Sequence, residues 1–281
     1  MIRLKGLLGS MLLVLISAPV VADEDIFKIG VEALNKKEYR FAIVCFNDVL
    51  RKDPKNSEAH YYRGLAQSGK GFWESAINNF TEAIRLNPNH ARAYVARGNA
   101  YIELKDYENA IRDHHQALQL DPKFALAHIN RGHSYLQIKN YRAIEDFNAA
   151  VRLNPNDPLP HLDRGNAYLD SEKLDNAIED FSEAIRLSRQ PSEPYFLRGV
   201  AYAKKGNSVN ATNDFSEVIR RDPKNIDAYL RRSEVYGELG DSEKSIEDWF
   251  HWIRMQSDWP LKILPWDRMG DFPYYDNPDS V

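Results

Sequence analysis

A 34-residue period governs this chain. Helix-ending prolines fall at Pro54, Pro88, Pro122 and Pro155, in steps of 34, 34 and 33 residues, and then at Pro223 after twice 34. Midway through that last gap Arg189 stands where a proline is expected, with Pro191 two residues on. Self-similarity at such a period marks a repeat architecture, in which one small unit cannot bury its apolar face alone and stacked neighbours do so for it. Seven units fit one frame: 23–56, 57–90, 91–124, 125–157, 158–191, 192–225 and 226–257.

Each unit reads as two helices. In the third, Tyr94, Ala96, Gly98, Tyr101 and Leu104 recur at helical spacing. Asp106 is placed to cap a second helix that buries Ala110, Ile111, Ala117, Leu118 and Leu120. Pro122 then ends it, because the residue before a proline is pushed out of helical geometry. Gly64, Gly98, Gly132, Gly165 and Gly199 share one place in the first helix, and Ala76, Ala110, Ala143, Ala177 and Ala211 share one in the second. A glycine inside a helix costs about 1 kcal/mol relative to alanine, so a ladder of them implies close packing. The expected partner of each glycine is the alanine of its own unit.

A second ladder is polar. Arg63, Arg97, Arg131, Arg164, Arg198 and Arg232 precede the glycine place, and Asp113, Asp146, Asp180, Asp214 and Asp248 hold a matching place in the second helix. The first unit has Ile29 and Cys45 there, lacking both charges together. That is the signature of a paired Arg and Asp, since removing one partner strands a buried charge. The fourth unit is one residue short near Tyr141–Ala143, and Gly69 and Gly71 should loosen the turn of the second.

The succession of Gly98, Tyr101, Ala110, Ala117 and Pro122, with His114 where Phe is usual, resembles the tetratricopeptide repeat. The resemblance spans roughly residues 23–257. It implies an all-α fold, a right-handed α-solenoid of about seven helix-turn-helix repeats, with residues 258–281 as an aromatic C-terminal cap. That tail holds Trp259, Trp266, Phe272, Tyr274 and Tyr275; an exposed aromatic patch that docks a partner is the alternative.

The resemblance also implies a concave face, lined by the first helices, that binds an extended peptide or protein segment. The groove places are Tyr61, Tyr62 and Leu65; Arg92, Val95 and Asn99; Ile129, Asn130 and His133; Leu162, Asp163 and Asn166; and Phe196 with Val200. Asparagine side chains both donate and accept, which suits Asn99, Asn130 and Asn166 to a peptide backbone. Some relatives grip the C-terminal carboxylate of heat-shock chaperones with Lys, Asn, Asn, Lys and Arg. Asn99 and Asn130 match two of those places, but Val95, Leu159 and Asp163 hold the basic ones, so that clamp is absent.

Arg3 and Lys5 precede an apolar run from Leu7 to Ile16, followed by the small-residue end Val20-Val21-Ala22. This is the pattern of a secretory signal peptide, with cleavage expected after Ala22 and a secreted or periplasmic product with no stable membrane span. A net charge of −4 lacks the basic face that nucleic-acid binding needs. No cofactor, metal site or enzyme activity is expected. His60, His128 and His161 share a register with Tyr94, Tyr195 and Tyr229, which reads as packing, and no His pair has zinc spacing. No Gly-rich phosphate loop or nucleophile elbow is present, and Cys45 reads as a small core residue. The function expected is a non-catalytic scaffold; a dedicated accessory of a peptidoglycan, polysaccharide or outer-membrane machine is the more specific alternative. Oligomeric state is open.

Overall fold

The computed structural model describes residues 23–256, so the expected signal peptide and the expected C-terminal cap lie outside the described residues. Those residues form fourteen helices and no strand. In chain order they are α1 (Asp23–Asn35), α2 (Tyr39–Lys52), α3 (Ser57–Ser68), α4 (Trp73–Leu86), α5 (Ala91–Glu103), α6 (Tyr107–Leu120) and α7 (Ala125–Gln137). Then come α8 (Ala143–Leu153), α9 (Pro158–Asp170), α10 (Leu174–Leu187), α11 (Ser192–Lys204), α12 (Ser208–Arg221), α13 (Ile226–Glu238) and α14 (Ser242–Gln256). The chain is an all-α solenoid that divides into two compact units, one ending at Ser171 and the other starting at Glu172. No change of composition marks that division.

In the first unit each helix packs on the next, from α1 through α9. The first helices of successive pairs, α1, α3, α5, α7 and α9, also touch one another, whereas α2, α4, α6 and α8 do not. Closer approach on one side than on the other bends the unit, and the first helices form its inner face. Within the second unit α10 to α14 likewise pack in order, and α11 touches α13.

The glycine ladder works differently from the expected Gly–Ala pairing. A Cβ on Gly64, Gly132 or Gly199 would lie 2.6, 2.7 or 2.8 Å from the ring of Phe80, Phe147 or Phe215 respectively. Each glycine is thus the seat of the aromatic ring one turn beyond the alanine, and all three phenylalanines are fully buried. On Gly98 the Cβ would meet His114 Nε2 at 2.8 Å, because His114 fills the phenylalanine place. Ala76, Ala110, Ala143 and Ala211 are themselves fully buried under the same helix pairs.

Gly69 and Gly71 each have a steric role in the turn of the second helix pair. A Cβ on Gly69 would collide with the ring of Tyr39, while Gly71 supplies a left-handed residue with φ +75°. Asp106 caps α6 as expected, its carboxylate accepting the Asn109 N–H. The missing residue of the fourth unit comes out of the start of α8, which begins directly at Ala143, whereas α4, α6 and α12 begin three residues before the matching alanine.

The polar ladder forms the expected ion pairs in the third, fourth, sixth and seventh helix pairs. Arg97 donates through two nitrogens to Asp113 at 2.7 and 2.8 Å, and Arg198 to Asp214 at 2.8 Å twice. Arg131 and Asp146 pair at 2.8 and 2.7 Å, and Arg232 and Asp248 at 2.7 Å twice. Burial works against the charge of Arg97, Arg131 and Arg232, but the facing carboxylate more than offsets it and raises each guanidinium pKa.

The remaining guanidinium nitrogen reaches back to the preceding pair. Arg63, Arg97, Arg131, Arg164, Arg198 and Arg232 bond Asn47, Thr81, His115, Asn148, Ser182 and Ser216, each sixteen residues earlier. One arginine therefore ties the second helix of its own pair to that of the pair before, or at least reaches the latter.

Arg63 is the exception, because buried Asn79 replaces the acid. Burial pushes the Arg63 pKa down with no carboxylate to restore it. Asn79 in turn donates to Gln67 at 2.7 Å, where other units carry tyrosine. Changing Asn79→Asp together with Gln67→Tyr writes this unit like its neighbours, and it should raise stability by about 1–2 kcal/mol, the worth of a charge-assisted bond. A urea midpoint no higher than that of the parent would contradict this.

Candidate functional site

The inner face of the first unit carries most of the groove residues, and their environments differ. Arg92, near the start of α5, is exposed, as is His133 on α7. Tyr61, Tyr62, Leu65, Asn99, Ile129, Asn130, Leu162, Asp163 and Asn166 are half-buried. Phe196 and Val200 belong to the second unit, where they pack against Ala211, Phe215 and Val235.

Val95 is not a groove residue. It is 4% exposed and lies in the core with Ala117, Leu118 and Ala127. It follows Arg92 by three, which puts both on nearly one helix face, but α7 closes over the Val95 end of that face.

Tyr62 also leans into the core, with its ring 5.5 Å from Phe27 and 5.8 Å from Phe46. Tyr61 lies 4.7 Å from the His90 ring and 6.0 Å from Phe80. Burial raises the Tyr61 pKa, and Tyr62 and Glu58 add to the rise while Arg92 opposes it.

Four of the polar groove residues are bonded to one another in two pairs. Asn130 donates to Asn99 Oδ1 at 2.7 Å, and His114 Nε2 lies 3.0 Å from the same oxygen. His133 Nε2 is 2.9 Å from Asp163 Oδ1. These links join α5 to α7 and α7 to α9, so they fix the spacing of the inner helices. The oxygen of Asn99 is therefore engaged, which argues against the free asparagine ladder that the sequence suggests.

Two exposed residues complete this face without having been expected there as contacts. Leu126 on α7 is 49% exposed and Leu159 on α9 is 60% exposed. Both occupy the place that Arg92 holds on α5, two residues into the helix. A leucine repeated at a place where other units carry charge was the available signal.

Beside Arg92 lies a cavity of about 360 Å³ between the loop that leads into α5 and the loop that leads into α7, with Asp121 and Phe124 on the far wall. Among the described residues no group of three or more His, Cys, Asp or Glu is placed to hold a metal ion, and no helix is long and apolar enough to cross a membrane. His60 and His128 do more than pack. Their Nε2 atoms lie 3.0 and 3.2 Å from the carbonyls of Pro54 and Pro122, which fastens each first helix to the loop before it. Cys45 is buried, and burial, helped by Asp48, raises its thiol pKa.

No functionally curated protein matches the sequence significantly. Among solved structures the chain is similar to YrrB, described as a TPR protein with an unusual peptide-binding site, at 26% identity over 63% of this chain and 92% of that one, with a TM-score of 0.56. It is similar to pilF of Pseudomonas aeruginosa at 21% identity over 77% and 97%, with a TM-score of 0.64. A tetratricopeptide repeat protein of Parabacteroides merdae matches at 20% identity over 84% and 94%, with a TM-score of 0.63. The family model of the TPR repeat matches residues 69–104, 98–139 and 165–206, and that of the tetratricopeptide repeat matches 125–157 and 192–225. Together these matches cover more than half of the chain, and the protein belongs to the tetratricopeptide-repeat family.

Proposed function

We propose that this protein is a non-catalytic scaffold that holds an extended segment of a partner protein along the inner face of its first unit. The observation that carries this reading is the exposure of Leu126 and Leu159 beside Arg92 on successive first helices. Apolar side chains left open in a row on the inner face of a repeat array are a surface for another chain. The described peptide-binding site of YrrB supports the choice of a peptide as ligand. The polar links beneath, from Asn99 to Asn130 and from His133 to Asp163, hold the wall rigid, so a ligand meets a preformed surface. The signal-peptide pattern of residues 1–22 supports a secreted or periplasmic setting for that partner.

Leu126→Glu with Leu159→Glu tests the reading, because both side chains are exposed and the fold should be unaffected. Recovery of the partner from an envelope extract should fall about tenfold or more, the effect of losing one or two contacts worth above 1 kcal/mol each. Equal recovery of the same prey by the parent and the doubly substituted chain would sink the reading.

A further inference from the structure

The face of α1 and α2 that looks away from α3 departs from the repeat. Ile29, Phe41 and Val44 are between 39% and 54% exposed. Ile29 stands where every later pair carries arginine. At the place of Phe41, just before the buried small residue of the second helix, the later pairs carry Ser75, Asn109, Arg142, Asn176, Asn210 and Lys244. At the place of Val44 they carry Asn78, Arg112, Glu145, Glu179, Asn213 and Glu247. Three places that are polar in all the other pairs are thus apolar and exposed in the first.

These side chains share one flank. Asn47 of α2 takes the Arg63 guanidinium of the next pair at 2.8 Å, so that side of α2 faces α3. Cys45 and Phe41 lie one turn apart on the other side, and Val44 lies about one turn beyond Phe41. Ile29 holds the place opposite Cys45 that each later arginine holds opposite its partner. A Cβ on the adjoining Gly30 would stand 3.1 Å from Cys45 Cβ. On α1 the stripe that matches Ala59 and Ala66, which pack fully buried against α2, carries Asp25, Lys28, Glu32 and Lys36, all exposed. A charged stripe suits any array end that has no neighbour to cover it. It does not account for Ile29, Phe41 and Val44 beside it.

The order of those charges names the occupant. Acid, base, acid and base follow one another along α1, so a second α1 laid antiparallel, with a two-fold axis near Gly30, sets Lys28 against Glu32 and Asp25 against Lys36, each twice. A two-fold contact requires a surface complementary to itself, and this stripe is one. We propose that two copies of this chain associate through this face, α1 against α1, with Ile29 beside the axis and Phe41 and Val44 covered on the flanks. The contact uses none of the groove residues, so it stands independently of the groove reading, and it places two grooves on one assembly.

Analytical ultracentrifugation of the chain purified after export tests this. The parent should sediment as a dimer that dissociates on dilution. Phe41→Glu with Val44→Glu should raise the dissociation constant about tenfold or more, with the fold intact because both side chains are exposed. Lys28→Glu alone brings two acids together at each of two contacts, and Glu32→Lys alone brings two bases together, so each should weaken association about tenfold. An equimolar mixture of the Lys28→Glu and Glu32→Lys chains restores opposite charges at every contact and should associate as the parent does, which it would not if either chain had merely failed to fold. A parent that stays monomeric at every concentration overturns the proposal. So does a dimer that Phe41→Glu with Val44→Glu leaves intact and that is lost on removing residues 258–281, which would assign the contact to the aromatic tail. Failure of the mixture to associate overturns the antiparallel two-fold arrangement, and the proposal with it.

Discussion

Replacing His114 by phenylalanine is expected to make the protein more resistant to acid, with an advantage over the parent that grows by about 3 kcal/mol between pH 6.5 and pH 4. His114 is fully buried in the phenylalanine place of the third helix pair, against Gly98. Burial pushes its imidazole from 6.5 down to about 4. The Arg131 charge adds to the fall, while the Val95 backbone and Asp146 pull the other way. In the unfolded chain the ring takes up its proton near pH 6.5, where the folded protein still refuses it. The neutral ring's contribution is therefore complete above pH 6.5 and is lost as the pH falls to about 4. Phenylalanine has no proton to take up, and Phe80 and Phe147 show that the site accepts its ring. Urea unfolding of both chains at pH 7 and pH 4.5 measures the difference. Stability curves that run parallel across that range would rule the account out.

His114 also shows what the sequence could and could not tell about the site. Its departure from phenylalanine was visible, because seven units written in one frame expose any single change. Its consequence was not, because the hydrogen bond from His114 to Asn99 joins two places fifteen residues apart that no periodicity connects. The same limit explains Asn99 and Asn130. Both lie on the inner face, as expected, but their mutual bond crosses between helix pairs and removes the free acceptor that a backbone-reading ladder would need. Val95 failed for a related reason. Helical spacing assigns a face, and only the neighbouring helix decides whether that face is covered.

The arginine ladder is more legible, since the loss of both charges at Ile29 and Cys45 points to pairing from the sequence alone. The second hold of each arginine is not legible in the sequence, because Asn47, Thr81, His115, Asn148, Ser182 and Ser216 share only the ability to accept a hydrogen bond. A ladder of one residue type catches the eye, and a ladder of one chemical capacity does not. The glycine ladder was read correctly as close packing but assigned to the wrong partner. Alanine and phenylalanine lie one turn apart on the same face, and spacing alone does not choose between them.

Asp146→Ala is expected to destabilise the first unit by about 3–5 kcal/mol, the cost of stranding buried charge. Asp146 is 2% exposed and accepts from Arg131 at 2.7 and 2.8 Å. It also lies 2.8 Å from His128 Nδ1, a third contact that Asp113 lacks because Tyr94 stands at the matching place. Arg131 continues to His115 on α6 at 3.1 Å, and His128 to the Pro122 carbonyl at 3.2 Å. One carboxylate thus fastens α7 to α8 and, through its two donors, to the end of the pair before. Burial alone would raise its pKa, but the hydrogen bonds and charges of His128 and Arg131 outweigh burial and hold it below the usual 3.8. Its contribution to stability is therefore present above pH 3.8 and is lost as the pH falls through the lower folded value. Two comparisons separate stranded charge from simple loss of packing. Asp113→Ala should cost less than Asp146→Ala, because it strands one donor group instead of two. Arg131→Met with Asp146→Leu should restore much of the loss, since an apolar pair leaves no guanidinium unpaired. Denaturant unfolding at neutral pH measures all three chains, and a doubly substituted protein no more stable than Asp146→Ala would show that the charge is not what matters there.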